Sequence, residues 1–374
     1  MNPLFMLSFQ TIFPFLLAFI ASFGLSWVLT HNSLLKTWGQ DKSKGIQKFH
    51  TQPTSRLGGA ALMVGLCVGL YFQSDHQLND GILGLVLLVS SVPVFLGGIA
   101  EDLTHKVTPT IRMLLTLVSC AMVYLIFQMG VKRTDIWLID SFLALPGMPL
   151  LVTLLVTAGF VNAVNIIDGF HGLASGSVML MLIGISALAL RVDDPMIFRL
   201  SLMTVFVTLG FFIWNWPRGS VFLGDGGAYL LGLWVVELGL LLPHRTSELS
   251  PMAPVLVGIY PLVETLFTMM RRKFIRSHPV GHPDALHLHT LIYRRIFRRV
   301  NTTTSVREKN WSNAKVSMVL WVIAAIPSLF AFIFWNQTAV LLFCMLIFSM
   351  FYIYIYQRLV RFKTPLFLAR LGSR

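Results

Sequence analysis

Long apolar runs separated by short polar segments set the pattern of this chain, and the runs are unbroken where a membrane β-barrel would alternate apolar and polar positions. Crossing a hydrocarbon layer of about 30 Å takes about 20 apolar residues as helix, a form that satisfies its own backbone there. Windows of that length predict eleven helices, at 8–29, 58–73, 81–99, 110–129, 146–164, 172–190, 197–215, 226–242, 251–270, 316–335 and 338–357. The second is short for a full crossing and is expected to borrow from its flanks. The first reads as a retained helix rather than a signal peptide, since no Lys or Arg precedes it and its apolar run is too long for one. The expected fold is all-α, a polytopic membrane bundle of about eleven transmembrane helices that forms a single domain over residues 1–374.

Composition agrees: 55% of the 374 residues are hydrophobic and only 12% are charged, against about 25% charged in soluble domains. Basic residues give the orientation, because Lys and Arg accumulate in cytoplasmic loops. With residue 1 outside, the inner segments 30–57, 99–112, 216–225, 271–315 and 358–374 hold 24 of the 29 Lys and Arg. The N-terminus is therefore expected on the periplasmic side and the C-terminus in the cytoplasm. The net charge of +13 follows from this asymmetry and from attraction to anionic headgroups of the lipid bilayer, so it calls for no nucleic acid. Cys67, Cys120 and Cys344 all fall in predicted spans without metal-like spacing and read as small core residues.

Five polar clusters map to the inner side: "KFHTQPTSRLGG" (Lys48 to Gly59), "GGIAEDLTHKVTPTIR" (Gly97 to Arg112), "VNAVNIIDGFHGLASG" (Val161 to Gly176), "WNWPRGSVFLGDGGAYLLG" (Trp214 to Gly232) and "RRKFIRSHPVGHPDALHLHTLIYRR" (Arg271 to Arg295). Singly, each has a plain structural reading. A lone Asp is a helix N-cap, Asn162 and Asn165 are amides bonding across helices, the glycine pairs are packing devices, and the last cluster is a positive-inside loop. Those readings do not predict acids, amides and histidines gathering on one side of a chain that holds only 16 acids. Carboxylates amid Lys, Arg and His suit a divalent cation holding a phosphorylated substrate, because Mg2+ takes oxygen ligands and is usually shared with substrate phosphates. No GxxxxGK[ST] and no HExxH occurs, which argues against an ATP-driven machine and a zinc protease.

In this order, "PTSRLGG" (53–59), "GGIAED" (97–102), "NAVNIIDGFHG" (162–172), "FLGDGG" (222–227) and "PDALHLHT" (283–290) resemble the motifs of the polyprenyl-phosphate N-acetylhexosamine-1-phosphate transferases, glycosyltransferase family 4. The late loop and the eleven spans are more similar to the glycan-initiating branch than to phospho-N-acetylmuramoyl-pentapeptide transferase. The resemblance implies transfer of an N-acetylamino-sugar 1-phosphate from a UDP-sugar to undecaprenyl phosphate at the cytoplasmic face of the bacterial inner membrane. UMP is released, and a lipid-linked envelope glycan such as O-antigen is begun. It also implies Mg2+, or Mn2+ in its place. A homodimer is a further candidate assembly.

By the same resemblance Asp225 is the metal-binding aspartate, and Glu101, Asp102 and Asp168 are the candidate catalytic acids. Asn162, Asn165, Asn215, Phe222, His287, His289, Arg56 and Lys106 are the candidate substrate-binding residues, with Phe222 expected to stack on uracil. The chain departs from the usual pattern at three positions: Glu101 replaces the first aspartate of an acidic pair, His171 the second aspartate of DGxDG, and Thr290 a further histidine. His171 is accordingly expected to tune sugar choice. The alternative from another class is a transporter or flippase of a lipid-linked or anionic substrate, which would use acids within the spans, such as Glu237 and Glu264. UMP release from a UDP-sugar separates the two.

Overall fold

The computed structural model describes residues 9–32, 38–41, 54–74, 78–127, 129–276, 286–298 and 305–372. The start of the first polar cluster, Lys48 to Pro53, and Pro283 and Asp284 of the fifth lie outside the described residues. Helix α1 (Phe9–His31) leads to two short strands, β1 (Gln40–Asp41) and β2 (Thr54–Ser55), which pair antiparallel with Gln40 opposite Ser55. There follow α2 (Gly58–Ser74), α3 (Leu78–Thr104), α4 (Pro109–Phe127), α5 (Trp137–Leu143), α6 (Met148–Ile167), α7 (Leu173–Arg191), α8 (Pro195–Asn215) and α9 (Gly224–Arg245). After them come α10 (Met252–Val257), α11 (Ile259–Arg271), α12 (Leu288–Ile292), α13 (Val306–Ile333), α14 (Thr338–Val360) and α15 (Leu366–Gly372).

Among the described residues nine helices are long and apolar enough to cross a membrane: α1, α3, α4, α6, α7, α8, α9, α13 and α14. The protein is a polytopic helical membrane protein. Helix α2 is the short apolar helix that the sequence pattern predicts at 58–73. The expected continuous span at 251–270 is instead divided into α10 and α11 at Gly258. Pro261 follows three residues later and has no N–H to return to the carbonyl of Val257, which weakens a helix across that point. Two further boundaries move: α3 runs on to Thr104, so Glu101 and Asp102 lie in its last turns rather than in a loop, and α13 begins ten residues before its apolar run. The early start of α13 is explained by a capping box, in which Ser305 and Glu308 satisfy each other's backbone N–H groups.

Helix α9 is the axis of the bundle. Nearly every residue from Gly224 to Leu242 is buried, as expected of a helix apolar all round, and Trp234 donates from its indole to Ser91 of α3 at 3.1 Å. Its first turn is crossed closely by α2 and α3. A methyl group added to Gly98 would lie 2.5 Å from the Cα of Gly226, and one added to Gly59 would meet the backbone of Gly227. Gly59 and Gly98 are therefore contact points with the backbone of Gly226 and Gly227, while Gly97 packs against the Leu115 side chain. Their close approach brings the ends of α2, α3 and α9 together at one end of the bundle.

Candidate active site

The chain around Arg56 is strapped to the turn before α9 by three backbone hydrogen bonds. The N–H of Phe222 donates to Ser55 O at 2.8 Å, and Gly58 N donates to Phe222 O and Gly59 N to Leu223 O, both at 3.0 Å; Arg56 N itself donates to Gly39 O, just before β1, at 3.0 Å. Gly224 then takes φ +72°, and its position against the Arg56 carbonyl and the Asp102 carboxylate leaves no room for a side chain. This turn aims Asp225, the second residue of α9, at its neighbours.

Asp102, fully buried near the end of α3, caps α9 from outside it. Its two carboxylate oxygens accept the N–H groups of Asp225 and Gly226, each at 2.9 Å. These are two of the donors that a helix start leaves unpaired, and a negative charge there is favoured by the helix dipole. Arg56 Nε lies 3.1 Å from the same carboxylate. Asp102 thus fixes where Asp225 begins.

The Asp225 carboxylate is gripped from three sides. Arg56 Nη2 donates to Oδ1 at 2.7 Å, Asn165 Nδ2 donates to the same oxygen at 3.1 Å, and Arg112 Nη1 donates to Oδ2. Three helices, α4, α6 and α9, and the segment leading into α2 therefore meet on one carboxylate. Asp168 closes the end of α6 within electrostatic reach of this group, half-buried. Loss of hydration pushes its carboxyl up to about 7; Arg56 opposes the rise, while Asp225 and Asp102 add to it.

The other expected residues are distributed unevenly around this core. Glu101 turns away and accepts Val107 N–H at 2.8 Å, bracing the loop to α4. Lys106 is exposed in that loop. Asn162, one turn before Asn165, donates to Ala158 O at 2.8 Å. Asn215 is buried, with Oδ1 accepting Gly172 N–H and Nδ2 donating to Val221 O, both at 2.7 Å. It ties the α6–α7 turn to the α8–α9 turn. Phe222 sits beside the His171 ring, centroids 5.8 Å apart. His171 is itself anchored, since its Nδ1 lies 3.0 Å from Pro217 O and its backbone is held by Asn313 and Ser317 of α13.

His287 and His289 form a second group. Their rings stack with centroids 5.1 Å apart and 14° between planes. His289 Nε2 packs against Gly169, where an added methyl would lie 2.9 Å from it, next to Asp168. Two participants were not assigned to this site by the sequence reading. Arg112 was visible in the second cluster without being assigned a role, and Glu264, named there only as an acid a transporter would use, is completely buried under His287.

Carboxylates of Asp225 and Asp168 beside an amide oxygen offer the all-oxygen donor set that Mg2+ prefers. That ion commonly takes only one or two carboxylates and completes its shell with water and substrate phosphate. Among the described residues no three His, Cys, Asp or Glu side chains converge as a ready-made metal cage. The two guanidinium groups on Asp225 hold the positive charge that its carboxylate demands. The residues fit a cation that arrives with its phosphates.

The profile of glycosyl transferase family 4 matches residues 84–242, from within α3 to near the end of α9. Over these residues the chain is similar to glycosyl transferase family 4. Among similar proteins, a probable undecaprenyl-phosphate N-acetylglucosaminyl 1-phosphate transferase of Bacillus subtilis (strain 168) is 27% identical over 246 residues, 65% of this chain and 66% of that protein. A phospho-N-acetylmuramoyl-pentapeptide-transferase of Streptococcus thermophilus is 25% identical over 337 residues, covering 84% of this chain and 95% of that one. The same-named protein of Streptococcus suis is 26% identical over 293 residues, 74% and 83% of the two chains. The family 4 match contains Asp102, Arg112, Asn165, Asp168 and Asp225, so the carboxylate cluster lies inside it.

Proposed function

We propose that this protein transfers an N-acetylamino-sugar 1-phosphate from a UDP-sugar to undecaprenyl phosphate on the cytoplasmic side of a bacterial inner membrane, releasing UMP. The product would begin a lipid-linked envelope glycan such as O-antigen. The observation that carries this reading is the carboxylate of Asp225 held between Arg56, Arg112 and Asn165 at one end of a membrane bundle. A site that pairs acids with guanidinium groups at the edge of the lipid suits a reaction in which both substrates are phosphates and one is a lipid.

In this reading an oxygen of the lipid phosphate attacks the β-phosphorus of the UDP-sugar. The bond from that phosphorus to the bridging oxygen breaks, and UMP leaves with the electron pair. The attacking oxygen is already anionic near neutral pH, so positioning and charge neutralisation carry most of the barrier reduction. Arg56 and Arg112 provide fixed positive charge where the diphosphate must lie. Asp102, both of whose oxygens hold backbone N–H groups of α9, works as a frame for Asp225 rather than as a base. Asp225 and Asp168 would hold Mg2+ or Mn2+, which when bound withdraws charge from the phosphate oxygens. Phe222 lies on the turn that delivers Asp225, which supports the reading of its ring as the face on which the uracil stacks.

The test is direct: membranes containing the protein are incubated with labelled UDP-N-acetylamino sugars and undecaprenyl phosphate, and the products are partitioned into solvent. A lipid-extractable, acid-labile sugar with stoichiometric UMP supports the reading. Lipid-dependent transport of the sugar without UMP release would overturn it.

A further inference from the structure

The stacked histidines rest on a buried acid. Glu264, in the middle of α11, has no exposed surface, and its Oε1 lies 3.0 Å from His287 Nδ1. The same oxygen accepts the backbone N–H of Leu288 at 3.2 Å. An oxygen that already accepts from Leu288 takes a second donor most simply from an Nδ1–H, because an ionised carboxylate only accepts. Thr268 Oγ1 stands 3.4 Å from that nitrogen, and among the described residues Tyr260, Tyr352 and His289 are the other titratable groups facing the carboxylate. Two bonds from one carboxylate therefore hold both the ring of His287 and the start of α12. Since α12 also carries His289, the grip extends to the contact with Gly169 beside Asp168.

We propose that Glu264 is a positioning residue for the phosphate-transfer site, fixing His287 in the Nδ1–H form so that Nε2 is the nitrogen offered to the donor's diphosphate. The inference rests on the transferase reading above. A carboxylate behind an imidazole sets its tautomer and orientation and favours its charged form when an anion meets the other nitrogen. With Glu264 ionised on one side and a diphosphate on the other, His287 becomes a protonated bridge between two anions. A glutamine at 264 retains an acceptor oxygen for Nδ1–H but no charge to support the imidazolium. The stacking of His289 on His287 makes its position depend on the same acid.

The experiment uses the full chain in lipid nanodiscs as wild type, Glu264→Gln, His287→Gln and the double variant, each with 15N-labelled histidine. Turnover is read as UMP release from UDP-N-acetylglucosamine, or whichever UDP-N-acetylamino sugar the wild type prefers, with undecaprenyl phosphate. Glu264→Gln should lower kcat about 10–100-fold, the usual cost of losing an orienting partner of this kind, with the larger effect on the alkaline side, where the imidazolium is harder to keep. The same change should cost little more once His287 is already Gln. The His287 nitrogen shifts should report Nδ1–H in the wild type and change in Glu264→Gln. Independent, multiplying losses, or a wild-type His287 protonated at Nε2 alone, would overturn the proposal. Should Glu264→Gln fail to fold, Glu264→Asp and the wild-type tautomer decide it. If no donor releases UMP from the wild type, the transferase reading fails, and the nitrogen shifts still decide whether Glu264 sets the tautomer.

Discussion

Arg112, in the first turn of α4, donates to Oδ2 of Asp225 in the first turn of α9, leaving the other oxygen to Arg56 and Asn165. The carboxylate expected to hold a cation is thus neutralised by arginine, and the guanidinium groups and the cation compete for the same charge. Arg112→Gln should lower the Mg2+ concentration needed for half-maximal activity while raising the KM for the UDP-sugar about 10-fold, because one charge-assisted contact to phosphate is lost. Titrating both ligands separates the two effects. An unchanged donor KM would assign Arg112 to structure alone.

The fate of individual residues shows what was legible beforehand. Asp225, Asn165 and Arg56 could be picked out because each is a polar group in an apolar setting with a matching motif, and the structure brings all three together. Arg112 carried a readable signal as well, being a charge just inside an apolar helix where hydrocarbon would make it expensive. Its partner is 113 residues away, and no local pattern encodes that pairing. Asn215 stands out equally in the sequence, yet its amide is used at both ends by backbone groups. The apolar runs located the helices, but the break at Gly258 and the extension of α3 to Thr104 depend on proline placement and on tertiary contacts that hydropathy does not register.

His171 stands where an aspartate is usual, and its Nδ1 faces the Pro217 carbonyl at 3.0 Å. A carbonyl only accepts, so the ring donates there. His171→Asp would set a carboxylate against that oxygen and should destabilise the protein by about 1–3 kcal/mol, whereas His171→Asn retains a donor and should lose less. Thermal unfolding in detergent checks the order. Because the ring backs Phe222, both variants should weaken UMP as an inhibitor; a changed ratio of kcat/KM between UDP-sugars would instead support the role in sugar choice.

Asp168 supplies a pH dependence with a definite sign. Its folded carboxyl titrates at about 7, against about 3.9 for an unfolded aspartate, so the folded chain binds the extra proton between those values. Its contribution to stability is fully present below about pH 4 and is lost as pH rises through about 7. In EDTA, the Tm of the wild type should fall between pH 5 and 8 by more than that of Asp168→Asn. Parallel Tm profiles for the two proteins would remove Asp168 from the account.

The division of 24 basic residues on one side from 5 on the other predicts that both the 271–315 segment and the C-terminus are cytoplasmic and residue 1 is not. Cysteine placed at Ser305, the exposed cap of α13, should be protected from impermeant maleimide in intact cells and react once the membrane is opened. Labelling from the periplasm in intact cells would invert the topology.

Asp225 carries the strongest expectation. Asp225→Asn keeps the size of the side chain and one oxygen but removes the charge that Arg56, Arg112 and a bound cation all require. Losing an orienting partner of a metal ligand typically costs about 10–100-fold, so losing a charged ligand should cost at least on the order of 100-fold in UMP release. Two arginines would then face each other without their shared anion, and some loss of Tm should accompany the loss of rate. Activity should require Mg2+ or Mn2+ and vanish in EDTA. A folded Asp225→Asn protein that keeps most of its activity at ordinary Mg2+ would move the cation to Asp168, the carboxylate of the cluster that, unlike Asp102, does not cap α9.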